Sequence, residues 1–251
     1  MMIKSIYNDL ESKDKNILET VMRNNGLIQK EIDEIYDGKF ITDYIAYEDL
    51  SRRDKIEICI LLIKTLLCGN GSFIFSPDHY TWLAIMLKHP PDIGDHRCEK
   101  EIFQFITITN FVNFQHLSKG EYMLDLILKP LTSSCGAAIS GFCVYPLLES
   151  ICRRRVPDLS ISGKAKKNIK LNKRGVRVNK KEGNRISNIE HELLLMEDHL
   201  DNFLSNALGN LDQDTKIYSR IKKARNSQLH GEFIGSFDSL IFTFFLHLLY
   251  L

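Results

Sequence analysis

Residues 240–251 read LIFTFFLHLLYL, a stretch with no evident polar face. Wound as a helix, it spreads Phe242, Phe244, Phe245, Leu248 and Leu249 around its circumference. A helix that is apolar all round has to be covered on every side. A second run, Cys135–Leu148, is nearly as apolar. Both fall short of the roughly 18–20 residues that span a bilayer, so each is expected to be a core helix and not a membrane anchor. A chain of 251 residues can form one large domain or two small ones around such helices.

Start and stop signals divide the chain into helices. Ser12 is placed to cap a segment closing near Gly26, and Leu27–Tyr36 follows, ended by Gly38. Ser51 precedes Arg52–Cys68, where Ile56, Ile60, Ile63 and Leu67 recur at helical spacing. Ser76-Pro77-Asp78 offers a cap, a proline at the first helical position and an acid at the positive end of the dipole. That helix runs to about Lys88, before HPPDIGD. Glu99–Gln115 makes another. A boundary near Ser118–Gly120 would separate a helical N-terminal domain of unassigned role (1–117) from a second domain (118–251). In the latter, Ser133–Arg155 carries a kinking Pro146, Ile186–Leu208 ends at Gly209, and Thr215–Arg225 precedes Glu232–Leu251. Four helices with one insertion (153–185) predict a four-helix bundle, and the fold class is all-α. Inside the insertion, NIKLNKRGVRVN alternates apolar and polar residues around Gly175, the pattern of a small exposed β-hairpin.

Charge sets the insertion apart. Thirteen Lys and Arg between Arg153 and Arg185 face only Asp158 and Glu182, a local charge of +11 that leaves −10 on the rest of a chain with net +1. Such density is the footprint of a polyanion, and RNA is the expected partner. The candidate RNA-binding residues are Lys164, Lys166, Lys167, Lys170, Lys173, Arg174, Arg177, Lys180 and Lys181. The six cysteines form no CxxC pair and read as reduced thiols of a cytoplasmic protein; no metal site and no cofactor is expected. The first residues lack the apolar core of a secretory signal.

ARNSQLHGEF, residues 224–233, places Arg225, Asn226 and His230 within six positions ahead of the last apolar run. On composition alone an Arg followed after four to six residues by a His is common, and Arg185 with His191 is a second match. The plain structural alternative is an exposed Arg at a helix end and a capping or core His. Three details favour a site. Asn226 follows the Arg, Gly231 and a helix follow the His, and the motif lies between two bundle helices. A ring at the start of the last helix would sit where phosphate is favoured.

ARNSQLHG resembles the signature of the HEPN superfamily over about residues 118–251: Arg, a polar residue, three to five others and His, beside the final helix. The resemblance implies a metal-independent endoribonuclease of the toxin or antiviral-defence type, with Arg225, Asn226 and His230 catalytic. The chemistry suits these groups. RNA carries its own nucleophile, the 2′-OH; histidine serves as acid or base, and arginine forks onto phosphate oxygens. Acid–base cleavage uses two histidines, and the family is known for composite sites in two-fold dimers, so a homodimer through the C-terminal bundle is expected. The all-apolar last helix points the same way. Toxins of this kind also take an antitoxin or regulatory partner. Those modified by a nucleotidyltransferase often carry Tyr two residues after the His; here that position is Glu232, which disfavours that route. Glu149 and Arg153, four apart, read as an ordinary helix ion pair. The alternative function is a non-catalytic HEPN module that binds RNA, nucleotide or a protein partner.

Overall fold

The computed structural model describes residues 5–68, 77–94, 96–119, 134–230 and 236–251. Among them are ten α-helices and one two-stranded sheet, so the chain is mostly helical. In chain order the helices are α1 (Ser12–Asn24), α2 (Gln29–Tyr36), α3 (Arg52–Cys68), α4 (Pro77–Lys88), α5 (Arg97–Lys119) and α6 (Ser134–Arg155). After strands β1 (Ile169–Lys173) and β2 (Val176–Lys180) come α7 (Ile189–Glu197), α8 (Asn202–Thr215), α9 (Ile217–Leu229) and α10 (Ser236–Tyr250). No helix of the described residues is long and apolar enough to cross a membrane.

The last helix finds its cover within the chain. All side chains from Ser239 to Leu249 are buried, and α10 packs against α3, α5 and α6. Asn110 of α5 sets the register by donating through Nδ2 to Thr243 Oγ1 at 2.8 Å, while Thr243 donates to the Ser239 carbonyl at 2.8 Å. One hydrophobic core runs from Tyr7 to Leu249, and position 117 falls inside α5. A buried Lys64 of α3 joins Asp14 of α1 at 2.7 Å to Asp214 of α8 at 2.8 Å.

Local signals explain most boundaries. Ser51 Oγ accepts from the Asp54 N–H at 3.1 Å and donates to Asp54 Oδ2 at 2.7 Å, so α3 starts where the cap dictates. The expected single helix Ile186–Leu208 is instead two. Asp201 breaks it by accepting from the backbone of Phe203 at 3.1 Å and Leu204 at 3.0 Å, and Asn188 caps α7. Gly209 lies inside α8 and ends nothing. A methyl there would come within 3.1 Å of Arg174 Nη1, so the missing side chain admits the hairpin tip.

That hairpin forms as the alternation predicts, paired from Ile169↔Lys180 to Lys173↔Val176. Arg174 (φ 49°) and Gly175 (φ 80°) both take the left-handed conformation that a two-residue hairpin turn requires. Ile169 and Val178 are buried on the inner face, whereas Lys170, Asn172, Arg177 and Asn179 alternate with them and are exposed.

Candidate functional site

Helix α9 carries the motif, and it runs further than the sequence suggests. Arg225 is not its last residue: the helix continues through Leu229, and His230 is the C-cap, its N–H donating to the carbonyls of Asn226 and Ser227 at 3.1 Å each. This corrects the expectation that the imidazole sits at the start of the last helix. The ring lies instead near the carbonyl end of α9, where the dipole favours cations, not phosphate. Helix α10 is described from Ser236, and residues 231–235, Gly231 and Glu232 among them, lie outside the described residues.

Ser219, Lys222, Lys223, Asn226, Ser227 and His230 line an open cleft of about 330 Å³ along one face of α9. Positive charge at this cleft comes from the two lysines. Lys222 is held at 2.9 Å by Glu190 of α7, while Lys223 makes no ion pair among the described residues. Asn226 and His230 are four apart and share the face; Arg225 is five from His230, about 140° around the helix, and faces elsewhere.

Arg225 belongs to a ladder of charges linking three helices. Its Nη2 meets Glu149 Oε1 on α6 at 2.8 Å, and Glu149 Oε2 accepts from Arg153 Nη2 at 2.8 Å. Arg153 in turn reaches Glu192 of α7 at 2.9 Å. The Glu149–Arg153 pair expected from spacing is present, and it also anchors the motif's arginine. Glu192, 1% exposed at its side chain, has its carboxyl pushed up to about 7 by burial even with Arg153 beside it. Its Oε2 has no hydrogen-bond partner among the described residues. Toward the cleft, Arg225 Nη1 lies 3.5 Å from Asn226 Oδ1, the outer limit of a hydrogen bond.

The basic insertion divides into two groups. Lys164, Lys166, Lys167, Lys170, Arg177 and Lys181 are exposed and Lys180 is half-buried. Of these, Lys167 pairs with Asp158 at 2.9 Å and Lys166 donates to the Pro157 carbonyl at 3.0 Å. Lys173 and Arg174 are occupied differently. Lys173 binds Glu197 at 2.7 Å and Asp198 at 2.9 Å. Arg174 pairs with Glu197 and, at 3.1 Å, with Asp212, its guanidinium 5.5 Å from the centre of the Tyr218 ring. These two fasten the hairpin to α7, α8 and α9, and their charge is already met. Sequence counting could not separate them from the exposed cations, because their partners Glu197, Asp198 and Asp212 lie 23–38 positions away.

His191 was passed over in the sequence because Ile186, not a polar residue, follows Arg185. It is half-buried on α7, beside the Glu190 that holds Lys222 of the cleft. Burial lowers its pKa, and Lys222 and Lys180 act in the same direction.

Comparison with known proteins adds no relative: no family model matches the chain, and no curated protein or solved structure is detectably similar to it.

Proposed function

We propose that the α9 cleft is the phosphate-handling site of a metal-independent endoribonuclease of HEPN type, with α6–α10 as its HEPN-like bundle. The observation that carries this reading is the grouping of Asn226, Ser227 and His230 with Lys222 and Lys223 around one open cleft. His230 would move the proton at the 2′-OH or at the leaving oxygen, Lys222 and Lys223 would offset charge on the phosphate, and Arg225, paired with Glu149, would position Asn226 from behind the cleft. Cleavage then yields a 2′,3′-cyclic phosphate. RNA incubated with the full chain in EDTA should be cut and DNA spared, with the activity lost in His230→Ala and Arg225→Ala. Cleavage that EDTA abolishes, or that survives His230→Ala, rejects the mechanism.

Each chain brings one His230 to the cleft, so a second copy remains part of this proposal. Leu229, 62% exposed beside His230, is the apolar residue that a contact across the α9 ends would cover. Light scattering at micromolar concentration should report a dimer that Leu229→Ser dissociates. The contact is placed here and not on the last helix, which is already buried.

RNA or nucleotide binding without cleavage is the second reading, favoured by the engagement of Arg225 with Glu149. A guanidinium neutralised by a carboxylate offers less to a transition state than a free one. Under that reading His230→Ala leaves RNA affinity unchanged and there is no cleavage to lose.

A further inference from the structure

A larger cleft, of about 740 Å³, opens between the end of α6 and the loop that follows, with Arg153 among its lining residues. Its walls are Arg153, Arg154 and Lys166, the hydroxyls of Ser160 and Ser162, and an apolar strip from Val156 through Pro157 and Leu159 to Ile161. The loop is a built feature. Leu159 bridges Ala165, the Ser160 N–H donates to the Lys164 carbonyl at 2.9 Å, and the Lys164 N–H returns to Ser160 Oγ at 2.9 Å. Gly163 closes the turn at φ 76°, and a methyl on it would come within 2.9 Å of Arg153 Nε, so the turn is seated on that guanidinium. The two serine oxygens stand 3.1 Å apart. At the tip Ile161 is 81% exposed and Pro157 is exposed as well, whereas Val156 and Leu159 are buried.

Three cations and two hydroxyls among the lining residues suit an anion with several oxygens. Arg153 spends Nε and Nη2 on carboxylates and Arg154 spends Nη2 on Glu99, so other guanidinium N–H groups remain for a ligand. The apolar part of the lining is open to water at Pro157 and Ile161. An acyl chain would stay wet there, whereas a nucleobase can lay one face on Pro157 and Ile161 and leave its polar edges in solvent. The size lies within the ~300–1,000 Å³ of small-molecule sites. We infer that this cleft is a nucleoside-phosphate site, with phosphate on Arg154, Lys166 and the serines and the base on Pro157 and Ile161. It goes beyond the cleavage reading, because binding here uses neither Asn226 nor His230.

Such a nucleotide could be free or part of an RNA chain. Calorimetry with AMP, GMP, CMP and UMP on the full chain tests the first, and anisotropy of a labelled 12-nucleotide RNA on the His230→Ala chain tests the second. Ile161→Ser is the decisive variant, since it removes no charge and alters an exposed tip. It should weaken binding of one or both ligands about tenfold, as should Lys166→Ala, while inorganic phosphate binds far more weakly than any mononucleotide. Mononucleotides that displace the RNA assign the site to a chain-bound nucleotide; mononucleotides that bind without displacing it assign it to a free one. Unchanged affinity of both ligands for Ile161→Ser overturns the inference, as does phosphate binding as tightly as the mononucleotides. Neither result touches the cleavage reading, which stands or falls on His230→Ala activity.

Discussion

Glu149 accepts from two guanidiniums, one from Arg153 four residues along its own helix and one from Arg225 on α9. Arg153 is the residue that makes the buried Glu192 tolerable, because a carboxylate at 1% exposure without a cation is strongly disfavoured. Replacing Arg153 with Leu should destabilise the fold by about 3–5 kcal/mol at pH 8. The loss should be smaller at pH 5. Glu192 has a folded pKa raised to about 7 from 4.5, so its proton contributes stability that is complete below 4.5 and lost as pH rises through 7. Without Arg153 the carboxyl is more readily kept neutral, and at pH 5 neutrality costs little. Urea melts of the variant at the two pH values check this; an equal loss at both would mean that Glu192 is not the group left stranded.

At the scale of the element, the β-hairpin is held by its tip. Arg174→Ala would leave Glu197 with Lys173 alone and should cost about 3 kcal/mol, with faster amide exchange across 169–180. The tip is therefore a poor place to look for RNA contacts, since any loss of affinity there would report a loosened hairpin. Lys170 and Arg177, on the outer face and exposed, are the discriminating pair. If they hold phosphates of a single strand, changing both to Ala should lower the slope of log affinity against log salt by about 1.4, at roughly 0.7 per contact. An unchanged slope removes the hairpin from the RNA path and leaves it as a brace between α7 and α8.

For the whole molecule, three buried groups contribute strongly to the response to acid. Burial pushes His79 down to about 4 and His247 to about 3 from 6.5, and it pushes Glu192 up to about 7 from 4.5. Across roughly pH 4.5–6.5 the unfolded chain binds two extra protons at the histidines, and the native chain binds one at Glu192. The difference of one proton makes stability rise with pH by about 1.4 kcal/mol per unit from these groups. His247→Leu removes one of the two buried histidines and should lower the measured slope by about 1.4 kcal/mol per unit. Denaturant midpoints measured against pH decide it, and a slope that the substitution leaves intact would place the acid response elsewhere.

What could be read from the sequence was local. The Ser51 cap, the Pro77 start, the Gly175 turn and the all-apolar face of 240–251 each depend on residues within one or two turns, and the corresponding elements form as expected. The grouping of Asn226 with His230 on one face was not legible, because the expected helix stopped at Arg225 and the structure carries it on to Leu229. What only the tertiary structure decided was which distant group meets which. Helices α3, α5 and α6 wrap α10, although the pattern of α10 says only that it must be wrapped. Arg225 turns to Glu149, 76 positions back, and away from His230. Lys173 and Arg174 are consumed by carboxylates of other helices, while Lys170 and Arg177 are exposed and make no ion pair among the described residues. A charge count weighs these four cations alike; burial and the distance to a carboxylate set them apart, and the packing of the chain determines both.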